Sequence, residues 1–131
     1  MKICIVSPIY PVASNHHLGI FVHEQAKYLV QRGYDVHVIT LGDTKDQDYH
    51  VKECVKVHRI KKGRLPILKD LSFAFSMLKE LIRANKKINF DIIHYNFVGL
   101  QTLLICLASK LLNKPFVVTS HGIGLLARNN L

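Results

Sequence analysis

The chain has 131 residues, of which 49% are apolar and 21% charged; that is a globular composition, which excludes intrinsic disorder and fits one domain. A chain of this size buries roughly two thirds of the surface it exposes when unfolded, enough for a true core. Its 18 Lys and Arg against 9 Asp and Glu give a formal net charge of +9, which attracts nucleic acid, acidic lipid or phosphorylated substrates without choosing among them.

The three cysteines, Cys4, Cys54 and Cys106, are far apart in sequence, so neither a disulfide framework nor a CxxC metal site is expected. Cys4 and Cys106 sit in apolar runs and read as buried thiols, and a reducing compartment follows. The N-terminal apolar run is too short for a signal peptide and ends at Pro8. The longest apolar stretch, Leu103 to Leu112, contains Ser109 and Lys110 and falls far short of the ~20 residues that span a bilayer. A cytoplasmic protein is expected, able at most to touch a membrane from inside.

In chain order, Ile3 to Ser7 is a β-branched apolar run closed by proline and reads as a buried strand. Tyr10 to His17 is a polar loop, and Gly19 opens a helix marked by Val22, Ala26, Leu29 and Val30 at i, i+4, i+7 and i+8. Arg32-Gly33 ends it, a basic last turn before a glycine cap. Val36 to Leu41 is the second strand, Gly42 to His50 a polar loop, and Val55 to Ile60 an alternating third strand. A basic loop, Lys61 to Pro66, leads to a long helix over 67–87, with Leu71, Phe75, Leu78 and Ile82 on one face and Lys79, Arg83 and Lys86 beside it.

Phe90 to Tyr95 is the fourth strand. Gly99 to Leu112 is a helix with leucine nearly all round, which predicts deep burial. Phe116 to Thr119 is the fifth strand, and Ile123 to Leu131 gives no assignment. Short apolar strands alternating with helices predict an α/β fold, a mostly parallel sheet with helices on both faces. Ligands bind such sheets beyond the carboxyl ends of the strands, here the loops after Ser7, Leu41, Tyr95 and Thr119.

Each candidate in those loops has a bland reading beside the functional one. Gly19 sits at a helix start, where backbone N–H groups welcome phosphate, or is a plain helix-start glycine; one glycine is not a dinucleotide fingerprint, and no Walker A pattern occurs. His16 and His17 lack acidic or cysteine neighbours, so no metal site is expected, and contact with a substrate hydroxyl or phosphate suits them better. His121, between Ser120 and Gly122 at a strand end, reads equally as a ligand contact, acid or base, or as a structural histidine. His94 reads as a core histidine, which leaves Asn96 better placed to face a ligand. There is no GxSxG elbow. Nucleic-acid binding has charge behind it but no helix-turn-helix, zinc or RNP-like pattern.

Four segments carry a resemblance: Met1 to Pro11; Gly19-Ile20-Phe21-Val22-His23-Glu24-Gln25-Ala26 running on to Arg32-Gly33-Tyr34-Asp35-Val36-His37-Val38-Ile39-Thr40; Phe90-Asp91-Ile92-Ile93-His94; and Lys114-Pro115-Phe116-Val117-Val118-Thr119-Ser120-His121-Gly122. In this order they resemble the N-terminal domain of the family 4 (group 1) glycosyltransferases, over essentially the whole chain. The resemblance implies one half of a GT-B fold, a Rossmann-like domain that mainly binds the acceptor. A C-terminal domain with an E-x7-E motif binds the nucleotide-sugar, and transfer retains the anomeric configuration, usually without a metal or other cofactor. By position, Gly19 would face the donor phosphates and His121 would lie at the reacting sugar as a hydrogen-bonding, charge-stabilising group. Tyr10, His16, His17, Asn96, Ser120 and Gly122 would line the acceptor side, Asn96 standing where many relatives have a second histidine.

The same resemblance gives the basic residues Lys79, Arg83, Lys86 and Lys87 a meaning as a patch for an anionic inner leaflet, worth roughly 1 kcal/mol per basic residue near the surface. No E-x7-E motif occurs in the 131 residues, so the expectation is an acceptor-side domain (1–131) that lacks its donor-binding partner and is inactive or nearly so alone, whether as a truncated product, an isolated domain or a subunit of a split enzyme. The alternative is a non-catalytic Rossmann-like module that docks a protein partner or an anionic surface.

Overall fold

In the computed structural model, residues 1–42, 49–61 and 69–121 are described. Their elements run β1 (Lys2–Ser7), α1 (Ile20–Gln31), β2 (Asp35–Gly42), β3 (Tyr49–Lys52), β4 (Val55–Lys61), α2 (Lys69–Ile88), β5 (Ile92–Asn96), α3 (Leu100–Leu111) and β6 (Phe116–Thr119). The sheet order is β3-β4-β2-β1-β5-β6. All neighbours are parallel except β3 and β4. This is the expected α/β architecture, with helices on both faces.

Strand alternation divides the core in two. On one face Ile3, Ile5, Val36, Val38, Val55 and Val57 pack with Val22 and Ala26 of α1. On the other, Cys4, Val6, Ile39, Ile93 and Tyr95 pack with Met77, Leu81 and Ala84 of α2 and with Ile105 and Ala108 of α3. β1 is central and paired on both edges, and its residues Cys4, Ile5 and Val6 are 0% exposed. That burial on both faces is why the sequence there is a continuous apolar run instead of an alternating one.

Four expectations are corrected. β3 lies partly in the expected loop Gly42 to His50 and closes an antiparallel hairpin with β4. The turn is made by Glu53 (φ 50°) and Cys54 (φ 64°), left-handed residues that are neither Gly nor Asn, so no ordinary turn signal announces it. The buried face of α2 carries Ala74, Met77, Leu81 and Ala84, whereas Leu71 and Phe75 are 39% and 56% exposed. The small alanines let the helix approach the sheet closely, and the larger residues fall on its outer flank. Among the described side chains of α3 only Ile105, Ala108 and Ser109 are buried, and Leu103, Leu107 and Leu111 are exposed. Cys106 shares that outer side, so of the three free thiols only Cys4 is buried. The basic loop Lys61 to Pro66 lies, after Lys61, outside the described residues, as do Ile67, Gly122 and the segment 123–131.

Candidate functional site

The sheet order places a switch point between β1 and β5: the chain leaves β1 toward α1 on one face and leaves β5 toward α3 on the other. In doubly wound sheets the loops part at such a point and ligands bind in the crevice outside the strand ends. Three side chains meet there from three elements. His121, just beyond β6, has Nε2 2.8 Å from Oδ1 of Asn96 at the end of β5. The Asn96 amide Nδ2 donates to Gln25 Oε1 of α1 at 3.5 Å. Asn96 is fully buried, so both ends of its amide need partners. Because Oδ1 only accepts, the hydrogen of neutral His121 sits on Nε2. Its Nδ1 then holds a lone pair, with no partner among the described residues.

Two aromatic rings flank the imidazole. Phe21, in the first turn of α1, has its centroid 4.3 Å from that of His121, and Phe97 lies at 5.2 Å. Phe97 has φ 96°, a backbone region that costs a bulky residue on the order of 1–3 kcal/mol. Its N–H donates to Thr119 O at 2.8 Å, so the strained residue is tied to the β6 end and its ring is held against His121. Nearby, His94 Nε2 lies 2.7 Å from Thr119 Oγ1. Burial, with the neighbouring His121, holds the His94 pKa below the ordinary imidazole value, as a half-buried structural histidine requires.

Gly19 stands at the start of α1 in the left-handed conformation, φ 67°. A Cβ there would lie 2.8 Å from the Ile9 carbonyl oxygen, so only glycine lets the loop after β1 lie against the helix start. The amides of that start are less open than the sequence implies: Ile20 N–H donates to His17 O, and the Val22 and His23 N–H groups both donate to Gly19 O. Gly19 thus positions Phe21, two residues on, beside His121.

The other sequence candidates scatter. Tyr10 is 1% exposed and its hydroxyl bonds His23 Nδ1, so that hydroxyl is committed inside the protein and does not reach an acceptor. His16, His17 and Ser120 are exposed; Gly122 is not among the described residues. Lys79, Arg83, Lys86 and Lys87 lie on the outside of α2, whose last turn is at the sheet edge opposite His121. Arg83 is itself paired, Nε to Glu80 Oε2 at 2.9 Å. Among the described residues, no group of three or more His, Cys, Asp or Glu side chains could hold a metal ion, and no helix is long and apolar enough to cross a membrane.

Sequence reasoning missed the supports. His23, 2% exposed, links Tyr10 to Glu53 Oε2 at 2.9 Å. It lies next to Val22 on the core side of α1, a placement the helical period could have revealed. Arg59, 7% exposed, donates from Nη2 to Pro11 O at 2.6 Å and lies over the Tyr10 ring at 5.8 Å. It pins the loop after β1 to β4. Between the ends of β1 and β2 a hollow of about 320 Å³ is lined by Pro8, Ile9, Tyr10, Leu18, Leu41 and Gly42 among others. That is the small end of ligand-sized cavities, and the lining is mainly apolar. The titratable chemistry lies on the β5 side of the same edge.

Residues 18–130 match the profile of Glycosyltransferase Family 4. A search among curated proteins finds no match. Among solved structures the chain is similar to sucrose-phosphate synthase from Thermosynechococcus elongatus, with a TM-score of 0.77, 20% identity, and coverage of 97% of this chain but 34% of that one. The chain therefore spans about a third of that structure's length, and at this identity the likeness speaks for the fold alone.

Proposed function

The chain belongs to glycosyltransferase family 4, and from that premise we propose that it is the acceptor-side lobe of a retaining transferase that moves a sugar from a nucleotide-sugar to a glycan or lipid-linked acceptor. The observation that carries this is the His121–Asn96–Gln25 chain across the mouth of the β1/β5 crevice. It holds an imidazole at the strand ends with Nδ1 turned to no described partner. That nitrogen accepts a hydrogen bond from a sugar hydroxyl, while Phe21 and Phe97 offer ring faces of the kind that pack against a pyranose. Asn96 acts through His121: it fixes the tautomer and the ring plane, so the contact is preorganised before a substrate arrives. Gly19 and the first turn of α1 form the wall beside it, where the donor's phosphates would approach the positive end of the helix dipole.

Donor binding belongs to a second lobe facing this edge across a cleft, and the chain's coverage of a third of its structural relative fits one lobe of such a pair. The test is nucleotide-sugar hydrolysis and transfer by this chain alone and with a candidate C-terminal lobe in trans. The expected outcome is activity in the mixture only, reduced about 100-fold by His121→Ala with no change in lobe association. A folded, associated pair that transfers nothing would overturn the assignment. The same pair with His121→Ala at full rate would remove His121 from the chemistry.

A further inference from the structure

We infer that the free edge of β6 is a strand-addition site, and that the strand it takes is carried by the second lobe of the transferase. β6 has a single neighbour among the described residues, β5. Ile93 N–H donates to Pro115 O and Phe97 N–H to Thr119 O, so residues 115, 117 and 119 turn their backbone groups toward β5. The N–H and C=O groups of Phe116 and Val118 then point the other way, along an edge with no partner among the described residues. Edge strands are commonly blunted by a charge, a proline within the strand or a bulge. The run Phe116-Val117-Val118-Thr119 has no charge or proline, and its register with β5 is unbroken. Val117 and Val118 are 43% and 38% exposed. Beside this edge, between α3 and the start of β6, lies a hollow of about 430 Å³ lined by Cys106, Lys110, Asn113, Lys114, Pro115 and Phe116. A strand laid along Phe116 and Val118 gains main-chain hydrogen bonds and sets alternate side chains on the α3 side, over that hollow.

Charge and position choose the occupant. No Asp or Glu occurs after Asp91 in the sequence, and Lys110 is exposed at the rim of the hollow. A second copy would bring together two bodies of net charge +9, which repel; an apolar strand flanked by acidic residues would not. β6 also leads straight to the candidate site. His121 lies two residues beyond its end, and Thr119 holds both the Phe97 N–H and the His94 imidazole. A partner strand paired along β6 brings its own polypeptide to the strand-end edge, where the donor half of a transferase is required. It also steadies from a second side a strand with no buried residue of its own. The part of sucrose-phosphate synthase that this chain matches is 34% of that structure, so a complete protein of this fold has ample further chain to supply such a strand. The partner's identity rests on the transferase reading; the open edge does not.

The fold supplies its own probes. Cys106 lines the hollow, Cys54 is exposed in the β3–β4 hairpin at the other edge of the sheet, and Cys4 is buried. The experiment mixes the chain with the candidate C-terminal lobe of the transfer assay and follows amide hydrogen exchange and thiol alkylation, residue by residue. In the chain alone, the Phe116 and Val118 amides should exchange fast and those of Val117 and Thr119 slowly. In the mixture, exchange at Phe116 and Val118 should slow about ten-fold or more, and alkylation of Cys106 should slow while that of Cys54 does not. Val118→Pro removes only the outward donor, a change that edge strands tolerate. It should weaken association about ten-fold with the thermal melt of the lone chain unchanged, whereas Val118→Thr, which keeps the donor, should bind as the parent does. Lys110→Gln should weaken association by about two- to five-fold. A lobe that does not associate, or that associates and leaves Phe116, Val118 and Cys106 as open as before, would overturn the inference. So would a sedimenting dimer of the chain alone that protects the same two amides, which would assign the edge to a second copy. Protection without sugar transfer would keep the docking edge and sink the transferase reading; transfer with both amides open would do the reverse.

Discussion

In the β1–β2–β4 half of the sheet, both faces are covered: α1 lies on Ile5, Val38 and Val57, and α2 lies across Cys4, Val6 and Ile39. In the β5–β6 half, among the described residues, most packing is on the α2 and α3 side, through Ile93, Tyr95 and Phe116, with Ile92 joining the α1-side core. The opposite side shows His94, Thr119 and Val117, the last 43% exposed. Edge strand β6, with no buried residue, therefore carries a smaller share of the stability than β1, whose Cys4, Ile5 and Val6 are 0% exposed. The open half is also the half that holds His121 and Asn96. Burial secures the scaffold, and the site occupies the part the scaffold leaves uncovered, as low-stability regions that bind ligands tend to do.

The sharpest way to break this contrast is to cut the same kind of side chain in each half. Ile5→Ala, at 0% exposure, should cost about 3–4 kcal/mol in urea unfolding, and Val117→Ala in β6 no more than about 0.5 kcal/mol. Similar losses at both positions would erase the distinction. Next comes the seam between the halves. Gly19→Ala brings a Cβ to 2.8 Å from the Ile9 oxygen at φ 67°, and should cost about 2–3 kcal/mol. It should also displace Phe21 from His121, visible in ring-current shifts of the imidazole protons.

Acid should weaken the closed half by a smaller amount. His37 Nδ1 and His58 Nε2 are 2.9 Å apart between β2 and β4. Asp35, Lys56, Glu80, Arg83 and the Phe90 ring lie around them. Burial, with His37 second, pulls His58 from its ordinary 6.5 down to about 4; burial lowers His37 too. Between those values the unfolded chain binds more protons than the folded one, so stability rises with pH. It is full above about pH 6.5 and is lost as pH falls toward 4, by on the order of 1–3 kcal/mol. His58→Asn should flatten that slope in pH-dependent melts; an unchanged slope would place the acid sensitivity elsewhere.

The elements that the sequence announced are those whose signals are local: the proline-stopped apolar run of β1, the helical period of α1, the Asn113–Pro115 turn before β6. The family resemblance likewise rested on contiguous motifs. What stayed hidden depends on partners distant in the chain. No local rule says which of two apolar faces of α2 meets the sheet; that is decided by how near Ala74 and Ala84 let the helix come. Leucine all round α3 predicted burial, but burial needs a neighbour, and among the described residues α3 meets the sheet and α2 and leaves Leu103, Leu107 and Leu111 exposed. Tyr10 read as a loop residue for an acceptor because nothing nearby in sequence reveals His23 and Arg59 closing over it. His121 and Asn96 were each legible at a strand end, while the bond between them, 25 residues apart in sequence, was not.

The central strand also sets a timetable. Lys2 N–H donates to Asp91 Oδ2, 89 residues later, and the Asp91 N–H returns the bond to Lys2 O, so one edge of β1 has no partner until β5 has been made. At about 5–20 residues per second of synthesis, that wait is roughly 5–20 s. Throughout it, Cys4, Ile5 and Val6 present an unpaired apolar edge, the kind of template on which nascent chains aggregate. Of the strands of this sheet, the one earliest in chain order is thus among the last to be completed. The crevice between β1 and β5 cannot exist before that moment, and production of this chain should be limited by how well the cell shields its first strand in the interval.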